Sequence, residues 1–298
     1  MAESGLNFAF ISLTDKAAYR TEVSRFDSNI SIQNISVFDT AVYQSIVHID
    51  NHDTNGFINF LRDSFKVNHT SKIVISLPTN WGFVDYFPSH GLTSGPDIKS
   101  INRELATLAS LAHPGDFNFN FVNKDDKGYW CFGINKKIAD NLKAQFKELD
   151  PAAVIIVLDT ILYHTYYETL DNKSGTTYLS FNGPFIDCWH LNSMNNTNEW
   201  RFIPTNNLDG SLTVKANLLD FVNQNMKDDP GSVCEIRYMS NGQGLENLKI
   251  IEEDSSTKIH NIPIPTIDVT SVSSLNHFDN EFINDILVKI DSASSLIL

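Results

Sequence analysis

Glycine is scarce in this chain of 298 residues: 14 are present, about 5% where globular proteins average ~7%. Loops that cradle phosphate are built from glycine, so the shortage bears directly on nucleotide chemistry. Cysteine is scarcer still. Cys131, Cys188 and Cys234 are far apart, with no CxxC or CxxH spacing, which excludes a disulfide framework or a cysteine-rich zinc site. They read as buried free thiols in a reducing compartment. Positive charge is also short. Against 36 Asp and Glu stand 22 Lys and Arg, a net charge of −14. That balance argues against sequence-blind binding to nucleic acid or an anionic membrane surface, and favours basic or neutral partners. The longest apolar run, residues 152–158, is far below the ~20 residues of a membrane-spanning helix. The opening MAESGLNFAFISLTDK carries an acid at Glu3 and no basic segment, so it does not read as a signal peptide and a cytoplasmic protein is expected. The sequons Asn34-Ile35-Ser36 and Asn68-His69-Thr70 then carry little weight in an Asn-rich chain. GKS/T, GxSxG and HExxH strings are all missing, so no familiar catalytic motif is present.

What is present is the pattern of a folded α/β protein. Hydrophobic residues make up 42% of the chain and charged residues 19%, a globular rather than a disordered composition. Residues 6–13, 18–26 and 30–38 read as three short strands, rich in β-branched and aromatic side chains. A helix over 56–65 and a buried strand over 72–77, stopped by Pro78, follow. Ile98, Ile101, Leu105, Leu108 and Leu111 predict an amphipathic helix over 97–111 after Pro96. Strands at 117–122 and 128–132, a helix over 135–149, a buried strand over 152–158 and a helix over 160–170 complete the first half.

Then the same grammar starts again. Residues 176–181, 185–191 and 200–203 read as strands, 212–226 as a helix and 234–239 as a buried strand. A turn at Asn241-Gly242-Gln243-Gly244 leads into a helix over 245–253, a short edge strand over 259–264 containing Pro263, and a helix over 280–292. No low-complexity linker separates the halves, so the boundary is a joint rather than a tether.

A duplicated β-β-β-α-β-α order resembles the actin-like ATPase fold of sugar kinases and heat-shock chaperones. The stretch from Lys72 is more particular. Ile75-Ser76-Leu77-Pro78 ends a strand, an aromatic strand and a helix follow, then a long hairpin, a helix and the strand over 152–158. With Arg201-Phe202-Ile203-Pro204 before a helix, this is similar to the PilM family of type IV pilus assembly proteins and their type II secretion relatives, the GspL-type cytoplasmic domains. The resemblance runs over residues 6–298. It implies a duplicated actin-like (ribonuclease H-like) α/β fold with two lobes and mixed sheets: residues 1–155 as one subdomain, with 280–298 packing back on it, and 156–279 as the other.

In that family three loops hold nucleotide, and each has a counterpart here. The first Asp-x-Gly turn reads Ile11-Ser12-Leu13-Thr14-Asp15-Lys16, with serine in the acid's place and no glycine. The second reads Ser180-Phe181-Asn182-Gly183-Pro184, again with serine for the acid. The adenosine turn reads Ser240-Asn241-Gly242-Gln243-Gly244, its glycines spaced rather than paired, and a further Gly-Gly-Asp appears as Asn206-Asn207-Leu208-Asp209-Gly210. The resemblance therefore implies a vestigial site at Thr14, Asp15, Asn182, Gly183, Asn241, Gly242 and Gly244. Loss of the metal-orienting acids argues against turnover of ATP, unless Asp15 substitutes in a shifted turn.

The remaining constellations lead to solvated loops or packing. His48 and His52 flank Asp50 at helical spacing, but in a turn-rich segment without a third ligand. Asp85, Glu104, Asp125 and Asp126 are not paired as acid and base. Tyr163, Tyr166 and Tyr167 predict a packed aromatic face. Trp81, Phe83, Tyr86 and Phe87 are either a partner site or buried under the next helix. The expected function is a non-catalytic cytoplasmic scaffold or adaptor with protein partners, among them membrane-assembly components, and with no bound cofactor, no nucleic acid and no membrane insertion of its own. The alternatives are an ATP-Mg²⁺-binding switch and a self-assembling structural protein, a homo-oligomer.

Overall fold

The computed structural model describes residues 6–14, 17–39, 55–62, 72–88, 116–125, 128–147, 151–170, 176–182, 185–191, 197–205, 210–228, 235–239, 258–269, 272 and 278–297. The chain divides into two compact units. Residues 1–161, 266–275 and 293–298 form the first; residues 162–265 and 276–292 form the second.

In the first unit β1 (Leu6–Leu13) pairs antiparallel with β2 (Ala17–Phe26), and β2 with β3 (Asn29–Asp39). On its other side β1 runs parallel to β4 (Lys72–Leu77), with β8 (Ala153–Leu158) parallel beyond it. The sheet order is β3-β2-β1-β4-β8. β4 is an apolar run buried along nearly its whole length, as expected of a parallel strand covered on both faces. β3 instead alternates, and its alternation changes parity. Ile30, Ile32 and Ile35 are buried while Gln33 and Asn34 are exposed, because the register with β2 shifts between Glu22 and Val23. One extra residue on β3 turns every later side chain over. The β2–β3 turn places Asp27 at φ 52, the left-handed region that short polar side chains tolerate.

Helix α1 (Asn55–Arg62) is tied to this sheet by the buried Arg20. Its guanidinium donates to the Phe60 carbonyl and, at 3.2 Å, to Ser36 Oγ, and lies 4.8 Å from the Phe60 ring centre. A second, antiparallel sheet of β5 (Gly82–Pro88), β7 (Gly128–Asn135) and β6 (Phe117–Asp125) has the order β5-β7-β6. Asn135 caps helix α2 (Lys136–Phe146), its Oδ1 accepting from the N–H groups of Lys137 at 3.0 Å and Ile138 at 3.3 Å. The buried face of α2 is Ile138, Ala139, Leu142 and Phe146.

The second unit repeats the first sheet's plan. β9 (Thr176–Asn182), β10 (Phe185–Leu191) and β11 (Thr197–Pro204) form the meander, and β12 (Glu235–Met239) and β13 (Lys258–Asn261) run parallel to β9. The order β11-β10-β9-β12-β13 matches the first sheet strand for strand. Its two faces differ in chemistry. On one, Leu179, Phe181, Ile186, Cys188, Ile203 and Ile236 pack with Val214, Leu218, Phe221 and Val222 of helix α4 (Gly210–Asp228). The alternate residues Tyr178, Ser180 and Trp189 meet aromatic and hydroxyl side chains of helix α3 (Asp159–Thr169). Arg201 lies 5.3 Å from the Phe221 ring centre and bonds Asp220 at 2.9 Å, fixing α4 on the strand edge.

Most expected elements are present, with adjusted ends. The closing helix α5 (Asn280–Leu296) begins at Asp279, whose Oδ1 accepts from Phe282 N at 2.6 Å, and runs past Ser292. Residues 280–292 of it belong to the second unit and 293–297 to the first. The strand expected over 259–264 is the shorter Lys258–Asn261, which stops before Pro263. Cys131 and Cys188 are buried free thiols. The helices expected over 97–111 and 245–253, and Cys234, lie outside the described residues.

Candidate functional site

Ligands of open α/β sheets bind beyond the carboxyl ends of the parallel strands. In the first unit that end is polar. Ser12 of β1 stands opposite Ser76 of β4 in the parallel register, so both side chains share a face. Both are fully buried. Ser76 Oγ donates a hydrogen bond to Asp159 Oδ1, and Asp159, also buried, opens α3 directly after β8. The acid stands at the positive end of a helix. This hydroxyl–carboxylate pair joins two neighbouring strand ends in one buried polar row. Sequence reading missed it, because the partners are 83 residues apart. The usable signals were the serine inside the apolar KIVISL string and the acid at a strand-to-helix junction.

Thr14, the first residue after β1, closes its own turn. Its N–H and its Oγ1 both donate to the Ala17 carbonyl, at 2.9 and 3.0 Å, and its Oγ1 accepts from Ala17 N at 2.9 Å. The two Thr14 donors that could face a phosphate are thus engaged within the turn. Asp15 lies outside the described residues.

The second unit carries the matching serine. Ser180 stands opposite Met239 near the carboxyl end of β9 and is buried. Its Oγ shares a hydrogen bond with the Tyr167 hydroxyl, reaching from α3. The Tyr167 ring stacks on Tyr178 at 4.3 Å and on Tyr163 at 6.3 Å between centres. Burial pushes the Tyr167 phenol well above its ordinary 10.0, Asp187, Tyr178 and Asp285 push the same way, and only the Ser180 bond opposes. The phenol is therefore a neutral hydrogen-bonding group at physiological pH. Alongside, Tyr163 donates to Asp285 Oδ1 at 2.5 Å, and the buried Lys289 pairs with Asp285 Oδ2 at 2.9 Å. Tyr166 donates to the Pro263 carbonyl at 2.6 Å. The aromatic face expected on this helix is thus a packed layer, but one organised by hydroxyl groups.

Of the other expected site residues, Asn182 ends β9 opposite Phe185, while Gly183, Asn241, Gly242 and Gly244 lie outside the described residues. So do His48, His52, Glu104 and Asp126, and the side chains of Asp85, Asp125, Phe83, Tyr86 and Phe87. Trp81 is buried in a 3₁₀ turn after Pro78. Among the described residues no cluster of three or more His, Cys, Asp or Glu is placed to hold a metal, and no helix is long and apolar enough to cross a membrane.

Comparison with known proteins places the fold. No protein-family profile and no curated protein matches the chain. Among solved structures, a Bacteroides thetaiotaomicron protein with an actin-like ATPase fold and unknown function is similar at 12% identity and TM-score 0.59, over 94% of this chain and 95% of that one. The PilM–PilN type IV pilus biogenesis complex is similar at 9% identity and TM-score 0.58, over 95% of both chains. The cytoplasmic domain of EpsL, an inner-membrane component of the Vibrio cholerae type II secretion system, matches at 8% identity and TM-score 0.47, over 97% and 95%. The chain therefore has the actin-like ATPase fold, an α/β architecture with two mixed sheets of one topology.

Proposed function

We propose that this chain is a non-catalytic actin-like scaffold or adaptor, acting in the cytoplasm for a membrane-associated assembly of the pilus or secretion kind. The observation that carries the reading is Thr14, whose hydroxyl and N–H are engaged within its own turn at the end of β1. The chemistry of the strand ends supports it. Where a nucleotide loop needs a carboxylate to orient Mg²⁺, the first strand of each unit carries a buried serine, Ser12 and Ser180. Ser180 is held by Tyr167, and Asp159 by Ser76. Serines held in this way argue against a site built around Mg²⁺·ATP. Protein partnership is supported by the likeness to PilM, solved in complex with PilN, and by a charge of −14 that suits neutral or basic partner segments.

Two measurements test the reading. A ligand at a hundredfold excess over its dissociation constant stabilises a protein by about 2.7 kcal/mol, so a thermal-shift titration with Mg²⁺·ATP reports occupancy directly. No shift is expected, and a saturable rise of several degrees would overturn this reading in favour of an ATP-binding switch. Crosslinking in native membranes followed by mass spectrometry tests the partner class. Recovery of membrane-anchored assembly proteins is expected, and recovery of soluble proteins alone contradicts the adaptor role.

A further inference from the structure

We propose that residues 266–269 are a strap that guards the outer edge of β3 against pairing with a second copy of this chain. Among the described residues the sheet order leaves β3 at an edge, and at 11 residues it is about twice the usual strand length. Natural edges are blunted by charge, proline or bulges. From Asn29 to Phe38 β3 has no charged residue and no proline, so an antiparallel copy of the same strand meets no like-charge repulsion there, despite the −14 of the whole chain. Val37 is 42% exposed on it. Identical edges also suit each other by symmetry, since a two-fold axis closes the contact.

Two devices hold this edge in check. One is the bulge at Gln33, which breaks the register of β3. The other is the strap. Ser31 and Asp268 form an isolated parallel bridge, in which Ile32 N donates to the Asp268 carbonyl at 2.8 Å and Asp268 N donates to the Ile30 carbonyl at 2.9 Å. Ile267 anchors the segment at 8% exposure, while Thr266 and Asp268 are exposed. The strap thus occupies the same backbone groups a second β3 would use, through a contact short enough to open. Opening it converts a guarded edge into a self-association surface, and the inference stands whether or not the adaptor reading holds.

Sedimentation velocity on the full chain tests this. Asp268→Pro removes the donor to Ile30, and Ile267→Ser weakens the anchor without touching the backbone. Each is expected to tighten self-association about tenfold or more over the parent, and Val37→Lys added to either is expected to restore the parent behaviour. Folded variants that associate no more than the parent overturn the proposal. Association that persists with Val37→Lys, or that tracks loss of the folded circular-dichroism signal, also overturns it, since the strap is then only a stabilising contact.

Discussion

The hydroxyl of Tyr167 and the hydroxyl of Ser180 share a buried hydrogen bond, from a helix of the second unit to the carboxyl end of its central strand. Each group satisfies the other in a place where neither is reached by water. Tyr167→Phe therefore leaves the Ser180 hydroxyl buried with one partner fewer, at about 1–3 kcal/mol. Thermal melts should show a fall of about 2–4 °C per kcal/mol lost. Adding Ser180→Ala should cost much less in that background than in the parent, a coupling that equilibrium urea unfolding of the four proteins measures.

Stability should be insensitive to these phenols up to about pH 10 and fall above it. Burial, with Asp291 and Tyr178 adding, raises Tyr166 from 10.0 to about 12, and Tyr167 is also raised, chiefly by burial. A group whose pKa is raised on folding keeps its full contribution below the unfolded value and loses it as pH climbs through the folded one. For Tyr166 that window runs from pH 10 to about 12. Ultraviolet titration of the folded protein should show late-ionising phenolate that denaturant moves back to about pH 10. Tyr166→Phe should flatten the alkaline loss of stability in melts across the same range, beside a pH-independent cost from its lost bond to Pro263.

Local chemistry explains what was readable from the sequence. The strings KIVISL and AVIIVL are apolar enough to be nothing but buried strands, and Asn135 stands in capping position before the periodic Ile138, Leu142 and Phe146. The duplicated order was legible because each half repeats meander, helix and parallel strand, and both sheets carry it. What was hidden depends on distant partners. The helix expected over 280–292 continues to Leu296, where Ala293, Ser294 and Ile297 are buried in the first unit. The parity change along β3 needs the register with β2. At the candidate site, family-style loop matching led to Thr14, whereas Asp159 became visible only through Ser76 on another strand.

The last turn of α5 is the clearest case of a helix end held from outside, and it can be loosened selectively. Lys72 Nζ donates to the Ile297 carbonyl, and Arg25 Nη1 donates to Ser294 Oγ at 2.7 Å. A cation at a helix C-terminus also favours the helix dipole. Lys72→Met keeps most of the packing area and removes the charge, at about 0.5–2 kcal/mol. Hydrogen exchange should rise in residues 293–297 while β9 and α4 keep their protection.

Removing Ser76 should cost more than a surface serine because its partner is a buried carboxyl group. Ser76→Ala takes a donor from Asp159, for about 1–3 kcal/mol, whereas exposed substitutions stay within about 0.5 kcal/mol. Urea unfolding measures the difference. A cost near zero would show that the pair does not organise the strand ends.

Gly82 supplies the sharpest steric prediction, since its nearest neighbour is backbone. A Cβ built there would lie 2.4 Å from the Gly133 carbonyl oxygen and 2.8 Å from both Leu158 methyl carbons. The carbonyl belongs to β7, locked to β5 by the pairs Gly82–Ile134 and Phe83–Gly133, so the strands must part for alanine to fit. Overpacking of this kind costs about 1–3 kcal/mol, and a backbone obstacle puts Gly82→Ala at the upper end. Leu158→Ala alone should cost about 2–5 kcal/mol through the space it leaves. The double variant should be more stable than the sum of the two predicts, because the new methyl enters the space vacated by leucine. The Gly133 oxygen remains in the way, so recovery should be partial. Full additivity in urea unfolding would mean that Leu158 does not set the approach of the two sheets.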